Sequence, residues 1–145
     1  MFGYLKNFFD ELYQFRKFLK LQEEKKKVIF YAENENQLDF FEDTINSLLK
    51  RNIPITYITS SPTDKKLILN KKIHFFYIGS KTIRTIFFST LKTKILIMSL
   101  PDLNKYEIKR SKYSVKYIFV PHNVLSTHMV FKKGAFDAFD IFFCS

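Results

Sequence analysis

Tryptophan is absent from this 145-residue chain, and cysteine, glycine and proline occur only once, three and four times. The lone Cys144 excludes an intramolecular disulfide framework, fits a reducing compartment, and in its apolar setting reads as a packed thiol. So few glycines and prolines imply short turns and long regular elements. No apolar run reaches the roughly 18 residues that a transmembrane helix needs. The amino terminus interleaves its charges with its apolar residues, unlike a signal peptide. The expectation is a cytoplasmic domain. No GxGxxG follows the first apolar run, where Ala32-Glu33-Asn34-Glu35-Asn36 stands instead, and no P-loop occurs anywhere. A dinucleotide site of the usual kind is therefore excluded. A phosphoacceptor receiver domain is excluded too, because its required Asp is replaced by Tyr77-Ile78-Gly79 at the end of the third apolar run. Neither HxxH nor CxxC spacing appears, so no metal site is expected.

What the chain does have is apolar bulk and positive charge. It is 46% hydrophobic with 18 phenylalanines, which excludes disorder and suits one domain with a real core. Lys and Arg number 24 against 14 Asp and Glu, a net charge of +10. Anionic partners are attracted by such a balance: nucleic acid, anionic lipid or a phosphate-rich substrate. AT-biased coding would raise the lysine content equally well. Nucleic acid needs a clustered basic face with exposed aromatics, whereas these aromatics fall in core periods, so it is the disfavoured partner.

Phe2 to Leu21 has helical periodicity, with Phe2, Leu5, Phe8, Phe9, Leu12, Phe15 and Leu19 on one broad face. This amphipathic helix either lies in the headgroup region of a membrane or docks on the domain itself. Glu23 to Lys27 reads as a charged, solvated connector, making 1–27 a leader to the domain at 28–145. From Val28 onward short apolar runs alternate with helical ones. Strands are expected at Val28–Tyr31, Ile55–Ile58, Ile73–Ile78, Ile95–Met98, Tyr117–Val120 and Asp140–Phe143. Helices are expected at Asn36–Lys50 and Lys81–Leu91, and an irregular segment at Asp102–Lys112. Asn34 or Asn36 is the expected helix N-cap. Apolar runs without polar alternation mean strands covered on both faces. The fold class is therefore α/β: a Rossmann-like parallel sheet of about six strands in a three-layer sandwich, preceded by the amphipathic helix.

Ligands of such sheets bind outside the carboxyl ends of the strands. One end stands out, where Tyr117 to Val120 gives way to Pro121-His122-Asn123. Ser126, Thr127, His128, Lys132, Lys133 and Gly134 follow. Histidine titrates near neutrality, so His122 is the candidate proton carrier, the alternative being a polar residue that merely ends the strand. Ser126, Thr127 and His128 are candidate substrate contacts or helix-start residues. Lys132 and Lys133 either hold phosphate oxygens or form a solvated face, and Gly134 supplies a backbone angle other residues avoid. His74, near the start of the third strand, reads as a packed or capping residue.

The segment from His122 to Asp137 resembles a signature of CDP-glycerol glycerophosphotransferase-like proteins, relatives of the teichoic-acid primases and polymerases. Val28–Glu33, Ile53–Ser60, Phe76–Gly79, Met98–Leu103 with Ile108–Ser111, and Leu12–Leu19 are similar to further blocks of that family. Pro121 stands where relatives often have a second histidine, and Ala138 where they often have another. The resemblance implies the amino-terminal, acceptor-side domain of a GT-B fold. By similarity His122 is the general base. Asn123, Ser126, Thr127, His128, Lys132, Lys133 and Arg110 are then its substrate- and phosphate-binding neighbours. It implies transfer of an alditol phosphate to a lipid-linked or polysaccharide acceptor, with no metal and no bound cofactor. The CDP-alditol donor belongs to a carboxyl-terminal half that the chain up to Ser145 does not include. The expectation is a half-enzyme, inactive until that half is supplied in cis or in trans, and peripheral on the cytoplasmic membrane face. The competing expectation is a non-catalytic binding module for anionic membrane or nucleic acid.

Overall fold

A computed structural model describes residues 2–64, 72–101, 103–121 and 132–143. Helix α1 (Phe2–Lys20) precedes β1 (Val28–Ala32), α2 (Leu38–Lys50), β2 (Ile55–Thr59) and β3 (Ile73–Tyr77). Then come α3 (Thr82–Thr90), β4 (Ile95–Met98), β5 (Lys116–Phe119) and the short β6 (Ile141–Phe142). The strands form one all-parallel sheet in the order β3-β2-β1-β4-β5-β6. The chain runs outward from β1 in one direction, then crosses to β4 and continues in the other. That reversal leaves a switch point at the carboxyl ends of β1 and β4, the architecture of a Rossmann-like fold.

Alternation along β1 divides the core in two. Ile29 and Tyr31 face α1 and α3, where Phe15, Phe18, Ile83, Phe87 and Phe88 meet them. Phe30 and Ala32 face α2, packing with Leu38, Phe41 and Ile45. Successive strand side chains point to opposite faces, so an apolar run covered on both sides yields two cores. The α1/α3 layer is knitted by edge-to-face rings: Phe18 lies 5.7 Å from Phe76 and 5.3 Å from Phe87, and Tyr31 4.8 Å from Phe88.

Several boundaries differ from the periodicity. Helix α1 buries Phe15 and Phe18, while Leu19 is 54% exposed, because the docked stripe is shifted from the expected apolar face to take in Phe18. The segment after it is not merely a solvated connector. Glu23–Lys26 is a 3-10 turn, and Lys26 is buried, donating to the Leu19 carbonyl, pairing with Glu23 at 2.9 Å and lying over the Phe18 ring. Its aliphatic stem packs while its charge stays partnered. The second helix starts at Leu38, after a 3-10 turn at Glu35–Gln37 that the Asn34 side chain caps by accepting from the Asn36 amide. Among the described residues no helix is long and apolar enough to cross a membrane.

Candidate functional site

The carboxyl edge is tightened beyond the strands themselves. The Ser60, Ile78 and Val120 amides donate to the Ala32, Thr59 and Met98 carbonyls, carrying the ladder into the turns. Tyr31, the fourth residue of β1, is fully buried, and its hydroxyl bonds the Ser60 Oγ at 2.9 Å across to the end of β2. Burial pushes the Tyr31 pKa up, so it stays a neutral phenol. Ser99, at the end of β4, is buried with no hydrogen-bond partner for its Oγ among the described residues.

Arg84 reaches this edge from the first turn of α3. Ile83, Arg84, Phe87 and Phe88 are its buried residues, so the arginine is drawn in on the face that docks the helix. One terminal nitrogen donates to Glu33 Oε1 at 3.2 Å and the other to Glu107 Oε2 at 2.6 Å. Its Nε is buried without a hydrogen-bond partner among the described residues. Burial alone would lower its pKa, but Tyr31, Glu33 and Glu107 outweigh that and raise it, so the guanidinium stays charged.

Glu107 is delivered by a loop with a fixed shape. Leu103 and Ile108 are buried anchors at its two ends. Asn104, at a φ of 73°, turns the chain so that its amide donates to the Ile108 carbonyl at 2.8 Å. Asparagine tolerates this left-handed region better than most residues. Its carbonyl accepts from Lys109 Nζ and its side chain from the Arg110 amide. Between the loop and the switch point lies a cavity of about 400 Å³, with Glu33, Arg84 and Glu107 as its polar side. Leu100, Pro101, Tyr106 and Ile108 form the apolar side.

Of the site residues expected from sequence, His122, Asn123, Ser126, Thr127 and His128 lie outside the described residues. Lys132 and Lys133 are exposed. They lead into a turn in which Gly134 has a φ of 79° and the Ala135 amide donates to the Lys132 carbonyl. Arg110 has a different setting. Its guanidinium sits 4.5 Å from the Tyr117 ring centre and donates to the Ala138 and Val115 carbonyls and to Asp140. Asp140 in turn accepts from the Tyr117 amide at 2.7 Å. Arg110 thus braces β5 against the approach to β6. His74 is partly buried, with its pKa lowered by desolvation and by Lys25.

Sequence reasoning placed Glu33 at a strand end but missed Arg84, Glu107 and Tyr106. The available signal was an arginine between Ile83 and Phe87, on the inward face of a helix that follows a strand's carboxyl end. Comparison of the chain with protein-family models, curated proteins and solved structures finds no significant match.

Proposed function

We propose that this domain is the acceptor-side half of a CDP-glycerol glycerophosphotransferase-like enzyme, which passes an alditol phosphate to a lipid-linked or polysaccharide acceptor. The observation that supports this best is the course of β5. It lies beside β4 in an all-parallel sheet, and the chain leaves its carboxyl end through Val120 and Pro121 directly before His122 in the sequence. The resemblance of His122–Asp137 to the family signature supplies the chemistry. In this reading His122 takes the proton of an acceptor hydroxyl as its oxygen attacks the β-phosphorus of the CDP-alditol. The bond from that phosphorus to the bridging oxygen breaks, and CMP departs with the electron pair. Lys132 and Lys133 hold negative charge near the transferred phosphate. A second Rossmann-like unit binds the donor, in cis or in trans.

Peripheral membrane attachment belongs to the same proposal. Helix α1 leaves Phe9 and Tyr13 exposed (62% and 60%), with Lys17 and Lys20 exposed on the same helix, as an interfacial helix would present aromatics and lysines together.

The test joins this domain to a relative's donor-binding half and follows CMP release from CDP-glycerol. Replacing His122 by Ala should cut turnover by about 10²-fold or more with the fold intact. Normal turnover in that variant, with loss only in His128→Ala, would move the base to His128. Loss in neither would end the catalytic reading of the loop.

A further inference from the structure

The cavity at the switch point has a charge balance that selects its ligand. Arg84 contributes one positive charge and Glu33 and Glu107 two negative ones, so the polar side is net negative. Both terminal nitrogens of Arg84 already donate to these carboxylates. A phosphate drawn to Arg84 would sit beside both carboxylates, within several ångströms and in a partly desolvated place. Anions are therefore disfavoured here, although the chain as a whole is strongly basic.

What the cavity does offer is hydrogen-bond acceptors. Arg84 takes one oxygen of each glutamate, leaving Glu33 Oε2 and Glu107 Oε1 to accept from a ligand. Glu33 and Glu107 side chains are 41% and 74% exposed, so both are reachable, while the Arg84 side chain that fixes their spacing is 8% exposed. The Nε of Arg84 is a buried donor with no hydrogen-bond partner among the described residues, so a ligand oxygen that reached it would be favoured. Opposite stand Leu100, Pro101, Ile108 and the ring of Tyr106, which is 63% exposed at the top of the ordered loop. The volume of about 400 Å³ is within the range of small-molecule sites.

We infer that this cavity binds an uncharged, hydroxyl-rich ligand, a saccharide or polyol, whose hydroxyls donate to Glu33 and Glu107 across Arg84 while its C–H face packs on Tyr106. The carboxylates recognise adjacent hydroxyls, because Arg84 holds them on either side of one planar group. The ring and the aliphatic wall take the apolar face that a sugar presents between its hydroxyls. This deepens the acceptor-side reading and rests on it only for the origin of the hydroxyls. Binding needs no turnover, so a failed binding assay and a failed transfer assay are separate results.

The experiment titrates the full chain with methyl glucoside, glycerol, inorganic phosphate and putrescine, following the NMR signal of the Arg84 Nε–H. The glucoside or glycerol should shift that signal with a dissociation constant of about 1 mM, and phosphate and putrescine should bind at least about tenfold more weakly. Tyr106→Ala should weaken the neutral ligand about tenfold and Glu107→Gln about fivefold. Both positions are exposed, and circular dichroism checks that each variant stays folded. Tighter binding of phosphate or putrescine than of either neutral ligand would overturn the inference. So would an unmoved Arg84 signal, or wild-type affinity in both variants.

Discussion

Arg84 and Arg110 each lie beside a buried strand tyrosine, Tyr31 in β1 and Tyr117 in β5, yet their surroundings assign them different work. Arg110 lies over its tyrosine ring and donates to two backbone carbonyls and to Asp140, joining the end of a loop to β5 and to the residue before β6. Among the described residues Arg84 donates to no backbone group; it bridges two glutamates on different loops at the rim of a cavity. A guanidinium tied to carbonyls fixes the chain. One tied to half-exposed carboxylates fixes those carboxylates and leaves their outer oxygens for a ligand. The terminal nitrogens of Arg110, expected from the sequence to meet phosphate, donate here to the protein itself.

The largest effect should come from breaking the brace. Arg110→Ala should lower stability in urea unfolding by about 2–4 kcal/mol, since two carbonyls and Asp140 lose a charged donor together. Arg84→Met keeps the packed stem and releases two carboxylates that water can reach, so its cost should be about 1–2 kcal/mol. If the Arg84 variant were the less stable of the two, the contrast between brace and ligand site would fail.

Alkaline pH sharpens the comparison from the tyrosine side. Burial raises the pKa of both Tyr31 and Tyr117. The unfolded chain therefore loses these phenolic protons first, so the stability they contribute is full below about pH 10 and falls as pH rises through the raised values. Between about pH 9 and pH 11, Tyr31→Phe and Tyr117→Phe should each lose less stability than the parent protein. Denaturant midpoints across that range measure it, and equal losses in all three proteins would refute the assignment. Near neutral pH the Tyr117 variant should be the weaker by about 1 kcal/mol, because it orphans the fixed Ser111 amide at 2.8 Å, whereas Tyr31→Phe frees the Ser60 hydroxyl, which can rotate to another acceptor.

The smallest effect belongs to Glu107→Gln. That glutamate side chain is 74% exposed, so its removal should change stability by no more than about 0.5 kcal/mol in the same unfolding assay. A larger loss would make Glu107 part of the brace rather than of the cavity.

The strands were legible because their apolar runs carry no polar alternation, and Val28–Ala32, Ile73–Tyr77 and Ile95–Met98 sit close to where the pattern placed them. Helix α1 was legible as amphipathic, but its docked stripe was not, since Leu19 and Phe18 are equally apolar and only the shape of the β3/α3 surface chooses between them. Gly134 was read correctly as needing an unusual backbone angle. Lys26 was misread as solvated because a run of charges hides one member that is buried, with its ammonium over the Phe18 ring. The site was legible only in outline. The carboxyl edge followed from the parallel sheet, whereas Arg84 meets partners 51 and 23 residues away, and no local pattern records such distances.

By itself, then, the order of apolar runs and helical periods in this chain determined an α/β domain with strands buried on both faces, because periodicity is a local property of side-chain spacing. Strand order, the division of β1 into two cores and the meeting of Glu33, Arg84 and Glu107 were decided by the tertiary structure. Each depends on which distant surfaces close over one another, and only the packed chain brings a helix turn, a strand end and a loop to one cavity.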